Sequence, residues 1–393
     1  MTSLYQSPGV YREEVFLKPE AKLPTGVPGF VGFADARVKK GITINVPFSI
    51  HRRAEFVTQP DGQAGSYVAD AVSGFFQNGG LRCYVVLADP DLKKDREGSL
   101  KDAIKALSPL NDLDLVAVPD AMLLQRPNAR LDAQAVMRVQ SDALIHCATH
   151  GNRLALLDSL QDGATDVGIL AQRHALGVGQ AEPINGALYY PWLKASNGRL
   201  VPPCGHIAGI VAQTDAKVGV FKAPANEEIL GVLDVEIPVD NRVQDELNPE
   251  GVNVMRAFPG RGIRVWGART LSRDPNWRYI NVRRLILTVR RWIDRNMTWA
   301  TFETNDRRLW VRIGRELRAY LVGVWRAGGL RGHTVEEAFY IKCDEETNPP
   351  DVREAGMVVT EMGLAPRSPA EFVVLRIVHR LGSRELPRDV ELT

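Results

Sequence analysis

Between Gly251 and Arg331 the chain carries 18 Arg, no Lys and five acids, Asp274, Asp294, Glu303, Asp306 and Glu316. By formal count that stretch is +13, and because the whole chain is only +2, everything outside it carries −11. Six of the seven Trp lie in the same stretch, at Trp266, Trp277, Trp292, Trp299, Trp310 and Trp325. Any fold for this chain must set guanidinium groups among large aromatic rings, a combination that favours buried anchors with stacked or bidentate Arg contacts. The segment reads as a packed platform that presents positive charge to something acidic.

A chain of 393 residues is too long for one ordinary core and points to about two or three domains. With 45% apolar and 24% charged residues it is globular in composition. No apolar run approaches the roughly 20 residues needed to span a bilayer, and no secretory pattern opens the chain, so synthesis in the cytoplasm without direct membrane insertion is expected. Cys83, Cys147, Cys204 and Cys343 are scattered with no CxxC pair, which argues for reduced, mostly buried thiols.

Residues 1–25 hold little apolar material and are punctuated by Pro8, Pro19 and Pro24, the pattern of an extended arm in which Val10 to Val15 can pair as an edge strand. From Gly26 to Asp240 short apolar runs alternate with helical patterns. Phe30–Phe33, Cys83–Leu87, Leu113–Val118, Leu154–Leu157 and Ala187–Tyr190 read as strands, with helices over Tyr67–Phe76 and Asp132–His150. That alternation predicts a layered α/β domain with a substantially parallel sheet. From Asn241 to Pro369 the texture changes. Val252–Phe258 and Ile263–Val265 are strand-like around a Pro259-Gly260 turn, and two amphipathic helices follow. The first uses Val282, Leu285, Ile286, Val289, Trp292 and Ile293; the second is capped by Asn305-Asp306, uses Leu309, Ile313, Leu317, Leu321 and Val324, and stops at Gly328-Gly329. The closing stretch, 370–393, holds Phe372-Val373-Val374-Leu375 and Ile377, an apolar strand that wants partners on both faces and edges.

Constellations for catalysis are weak. His146 and His150 have the spacing to share a metal on one helix face, but Cys147 stands where HExxH has its acid and no third ligand is evident, so no metal is expected. Cys204 near His206 lacks an orienting partner, and no GxSxG, GxGxxG or GxxxxGK[ST] spacing occurs. No catalytic residue or cofactor is expected. For the Arg-rich segment, a nucleic-acid-associated structural protein is the alternative reading, weakened by the absence of Lys and of any nucleic-acid motif. An acidic protein surface, or acidic parts of identical subunits, fits better.

The strings SPGVYREEV, FFQNGGLRCYVV, PPCGHIAGI, GVFKAPAN, FPGRGIRVWGARTLS, NVRRL, FETND, AFYIKCDEETNPP and APRSPAEFVVLRI occur in this order. Together they resemble the tail sheath proteins of contractile phages and phage-like contractile injection systems. The resemblance implies a non-enzymatic, mechanical subunit that polymerises as stacked six-fold rings around an inner tube protein, capped by baseplate and tail-terminator proteins, with no nucleic-acid partner. It implies an outer α/β domain at 26–240, an inner, tube-facing α+β domain at 241–369, and terminal arms at 1–25 and 370–393. Strand exchange between subunits would use Val10, Tyr11, Arg12, Glu13, Glu14 and Val15 at one end and Phe372, Val373, Val374, Leu375 and Ile377 at the other. Contact with the inner tube is assigned to Arg283, Arg284, Arg290, Arg291 and Arg295, with Arg307, Arg308, Arg312 and Arg315 as second choice.

Overall fold

The computed structural model describes residues 23–35, 41–57, 65–89, 95–126, 130–163, 165, 167–177 and 184–371. The strand-exchange segments expected at Val10–Val15 and Phe372–Ile377 lie outside them. In chain order the strands are β1 (Pro28–Phe33), β2 (Phe48–Ile50), β3 (Cys83–Ala88), β4 (Leu115–Ala117), β5 (Leu154–Asp158), β6 (Gly186–Tyr190), β7 (Leu193–Ala195), β8 (Leu200–Val201), β9 (Val232–Val235), β10 (Val252–Phe258), β11 (Gly262–Trp266), β12 (Phe339–Lys342) and β13 (Glu361–Leu364). The helices are α1 (Val68–Gln77), α2 (Arg96–Lys105), α3 (Ala133–His150), α4 (Ile169–Gly177), α5 (Cys204–Lys217), α6 (Asn241–Leu247), α7 (Ile280–Asn296), α8 (Arg307–Arg326), α9 (Val335–Ala338) and α10 (Pro350–Glu354).

Eight strands form the main sheet in the order β11-β10-β6-β5-β4-β1-β3-β2. All the internal pairings are parallel, and only the outermost strands, β11 on β10 and β2 on β3, run antiparallel. The apolar runs that gave no alternation in sequence are buried on both faces, as a covered parallel sheet requires. Along β1 the pleat sends Phe30 to one core with α1 and α5, and Val31 to the other with α2 and α3. Gly205 and Gly209, one turn apart on α5, let that helix lie against the backbone of α1. A Cβ on Gly205 would stand 2.3 Å from the Ala71 Cα, and one on Gly209 2.5 Å from the Phe75 oxygen.

The division expected between Asp240 and Asn241 falls inside this sheet. Val252, Asn253 and Val254 of β10 pair in parallel register with Leu188, Tyr189 and Tyr190 of β6, so the β10–β11 hairpin completes the α/β layer. The rise in Arg content marks a change of surface chemistry and not the end of the sheet.

Beyond the hairpin, α7 lies between two environments. Ile280 and Leu287 join the core of the main sheet, while Leu285 and Val289 pack with Leu321, Leu330 and Phe339 in a separate small core. A second small core gathers Leu309, Trp310, Ile313 and Leu317 of α8 under Trp292 and Ile293. The Trp292 and Tyr320 rings stack at 4.2 Å between centroids, tying α7 to α8. The Asp306 carboxylate caps α8 by accepting from the Arg308 and Leu309 N–H groups, as the sequence predicts.

Candidate assembly surfaces

Three of the five arginines assigned to a tube contact are enclosed within the subunit. Arg283, Arg284 and Arg291 are buried where α7 crosses the N-terminal ends of the parallel strands, while Arg290 and Arg295 are exposed. The Arg284 guanidinium meets Asp215 at 2.7 and 2.6 Å and Asp114 at 2.9 Å, and Arg291 stands 3.7 Å from the same Asp114. Asp114 also accepts the N–H groups of Gly26 and Val27, at 3.0 and 2.6 Å, so one carboxylate fixes both α7 and the start of β1. Burial works against the charge of Arg284, but Asp215 and Asp114 outweigh it and hold its pKa raised. Arg283 donates to the Asn185 side chain at 2.6 Å and stacks over Trp277, and burial lowers its pKa to about 10. Arg284 and Arg291 are thus committed to acids of the same chain and Arg283 to Asn185, so of the five arginines assigned on α7 only Arg290 and Arg295 stand on the surface.

The second choice stands on a surface. Arg307, Arg308, Arg312 and Arg315 are all exposed along α8, joined by Arg318. Arg312 lies 3.6 Å over the Trp299 ring and 3.5 Å from Glu316, and Arg318 pairs with Glu336 at 2.9 Å. Arg307, Arg308 and Arg315 have no ion-pair partner among the described residues. At the foot of this face Phe302 is fully exposed and holds φ +69°, a left-handed conformation that an aromatic residue adopts only at a cost. Nothing in the residue pattern of FETND marked that phenylalanine as an exposed one.

Beside α8, β12 and β13 form a two-stranded antiparallel sheet of their own. Among the described residues neither outer edge of this pair carries a further strand, and an isolated pair of strands is marginal without more partners.

Among the described residues the α/β layer has no comparable opening at its topological switch point. There, between β1 and β4, the Asp120 carboxylate accepts the Phe33 N–H at 2.6 Å, the Ser66 hydroxyl at 2.5 Å and the Tyr67 N–H at 2.5 Å. Burial raises its pKa to about 6 against these hydrogen bonds, and Gly32 leaves room for it and nothing more. His146 Nε2 lies 3.0 Å from the Arg153 guanidinium, and burial followed by that charge lowers its pKa to about 3. Cys204 begins α5 with its N–H on Asp158 at 2.8 Å, and burial with that neighbouring acid raises its thiol pKa, the reverse of thiolate activation.

Asp158 itself is pushed up to about 7 by burial. Since the fold favours its protonated form, that contribution is fully present below about pH 4 and is lost as pH rises through about 7. An Asp158→Asn subunit keeps the acceptor for Cys204 without the charge. Its melting temperature relative to the natural subunit is expected to move in the variant's favour by a few degrees between pH 5 and pH 8. A pH-independent difference in thermal unfolding would contradict this.

The family model for the phage tail sheath protein central domain matches residues 124–271, and that for the phage tail sheath C-terminal domain matches 272–380. A chain from the cryo-EM structure of the anti-feeding prophage baseplate is 31% identical, with a TM-score of 0.76, covering 96% of this chain and 100% of that one. The chain belongs to the phage tail sheath family. It is a structural, contractile-sheath subunit of a phage or injection system. The sheath of the extracellular contractile injection system PVC, in its contracted state, matches at a TM-score of 0.74 and 28% identity over 96% of this chain and 98% of that one. The tail sheath protein of Vibrio phage KVP40 is 28% identical over 200 residues, 50% of this chain. That match spans only 29% of the phage protein's length. The family models meet between residues 271 and 272, after the β10–β11 hairpin, consistent with the sheet described above.

Proposed function

We propose that this subunit stacks as six-fold rings into a helical sheath around an inner tube protein, held in a metastable extended state until a baseplate signal releases it. Full-length likeness to chains of an injection particle at 31% identity carries this reading. One feature of the subunit supports it. The open edges of β12–β13 suit strands supplied by other copies, through residues 10–15 and 372–377, a form of β-augmentation. Contraction draws its free energy from improved contacts: burying one more apolar side chain per subunit is worth about 1.5–3 kcal/mol, multiplied along the polymer. No nucleotide, cofactor, metal or enzymatic step enters the mechanism. The subunit is made in the bacterial cytoplasm and meets baseplate and terminator proteins in a phage tail or injection particle. No described helix is long and apolar enough to cross a membrane.

The inner-tube contact belongs to α8, through Arg307, Arg308, Arg312 and Arg315, with Phe302 at its end. Exposed ion pairs are worth about 0–1 kcal/mol each, which suits a contact that must hold and then release. A nucleic-acid partner for the 251–331 segment is disfavoured, because Arg269, Arg283, Arg284 and Arg291 are buried in the subunit. An Arg308→Glu/Arg315→Glu variant is expected to fold and to form empty sheaths, while tube-filled particles from co-expression with the tube protein fall at least about tenfold. Normal numbers of filled particles in low and high salt would show that α8 does not face the tube.

A further inference from the structure

After β13 the chain turns away from the small sheet it has just completed and is fastened to the main one. The Asn281 amide donates to the Arg367 carbonyl at 2.9 Å and to the Phe221 carbonyl at 2.8 Å, and Pro366 bridges to Leu330. At Glu371 the carboxylate meets Arg269 in a two-point fork, Nε to Oε1 at 2.9 Å and Nη2 to Oε2, with the Tyr279 hydroxyl 3.4 Å away. Arg269 is only 8% exposed and is held from three sides. Its remaining nitrogen donates to the Asn248 carbonyl at 2.9 Å, and the Asn253 side chain accepts its N–H at 2.7 Å and donates to its carbonyl at 2.8 Å. Asn253 is itself fully buried in β10. The fork stands at one wall of a cleft of about 670 Å³ between α6 and β11.

None of residues 366–371 is buried, so apolar packing does not explain why they are ordered along this path. The polar fastenings do, and the strongest is the fork. We propose that Arg269 and Glu371 form a positioning pair that sets where and in which direction the C-terminal residues leave the subunit. A pull on residues beyond 371 then enters the main sheet through Arg269, Asn253 and β10, bypassing the two-stranded sheet. What pulls is supplied by the sheath reading, on which this role rests; the fastening itself does not depend on it. A lysine cannot reproduce the planar fork, so charge alone is insufficient.

The test compares the full-length natural subunit with Glu371→Ala, Glu371→Gln and Arg269→Lys variants in three measurements. Thermal unfolding is expected to change little for the Glu371 variants, because Arg269 lines an open cleft and, once the segment that carries residue 371 lifts off, its guanidinium meets water, whereas Asp114 and Asp215 stay enclosed when Arg284 is lost. Trypsin cleavage after Arg367, followed by mass spectrometry, is expected to accelerate about ten- to a hundredfold in Glu371→Ala, as loss of a charge-assisted fork implies, with Arg269→Lys in between. Sheath yield by electron microscopy is expected to fall at least tenfold at unchanged melting temperature. Unchanged cleavage in Glu371→Ala would overturn the fastening, and faster cleavage with normal sheath yield would overturn its positioning role. A natural subunit that forms no sheath at all would defeat the polymer reading instead, and the cleavage ratio would still decide the fastening.

Discussion

Replacing Arg284 with methionine is expected to destabilise the subunit by about 3–5 kcal/mol, because it leaves Asp114 and Asp215 buried without their cation. The loss reaches two distant parts of the chain. Asp114 holds the Gly26 and Val27 N–H groups at the start of β1, and Asp215 lies on α5, so the cation joins α7 to both. Methionine fills comparable volume, which isolates the charge from a cavity effect. Denaturant unfolding of the purified subunit checks the value, and a difference within about 1 kcal/mol of the natural protein would contradict the network's importance. A triple variant that also carries Asp114→Asn and Asp215→Asn is expected to recover part of the loss, since no uncompensated carboxylate remains. A defect in assembly caused by reversing Arg284 or Arg291 would consequently report folding and say nothing about the tube.

The second large effect is on assembly. Deleting Met1–Val15 is expected to leave a soluble subunit with a near-natural melting temperature, because among the described residues the cores of the main sheet and of α7–α8 are assembled from Val27 onward. The same deletion is expected to abolish sheath formation, since β12–β13 in each subunit would lose a strand supplied by another. Sedimentation separates the two outcomes: a folded monomer peak and no polymer agrees with strand exchange. Sheaths of normal length and yield from the shortened chain would rule it out.

Much of this architecture was legible in the residues. Short unbroken apolar runs at Phe30, Cys83, Leu154 and Ala187 became parallel strands buried on both faces, and the helical spacing of α7 and α8 placed their apolar stripes correctly. The basic side of α7 was not legible. An Arg row opposite an apolar stripe reads as a solvated face, and only the fold brings Asp215 and Asp114 to it from 69 and 170 residues away in the chain. On α8 the same pattern keeps its ordinary meaning, because no element crosses that side among the described residues. That the sheet continues past residue 240 was hidden for a related reason: composition changed before the sheet ended, and a parallel pairing of β10 with β6 across 64 residues leaves no local signature. Arg269 and Glu371, 102 residues apart, were equally invisible.

The most direct test of the central claim is a cryo-EM reconstruction of the natural protein expressed alone. Six-fold, cogwheel-ended cylinders are predicted, with α8 lining the lumen and β12–β13 extended by strands from other subunits. Monodisperse monomers under all assembly conditions, or a polymer with α8 on its outer wall and β12–β13 left two-stranded, would contradict the account.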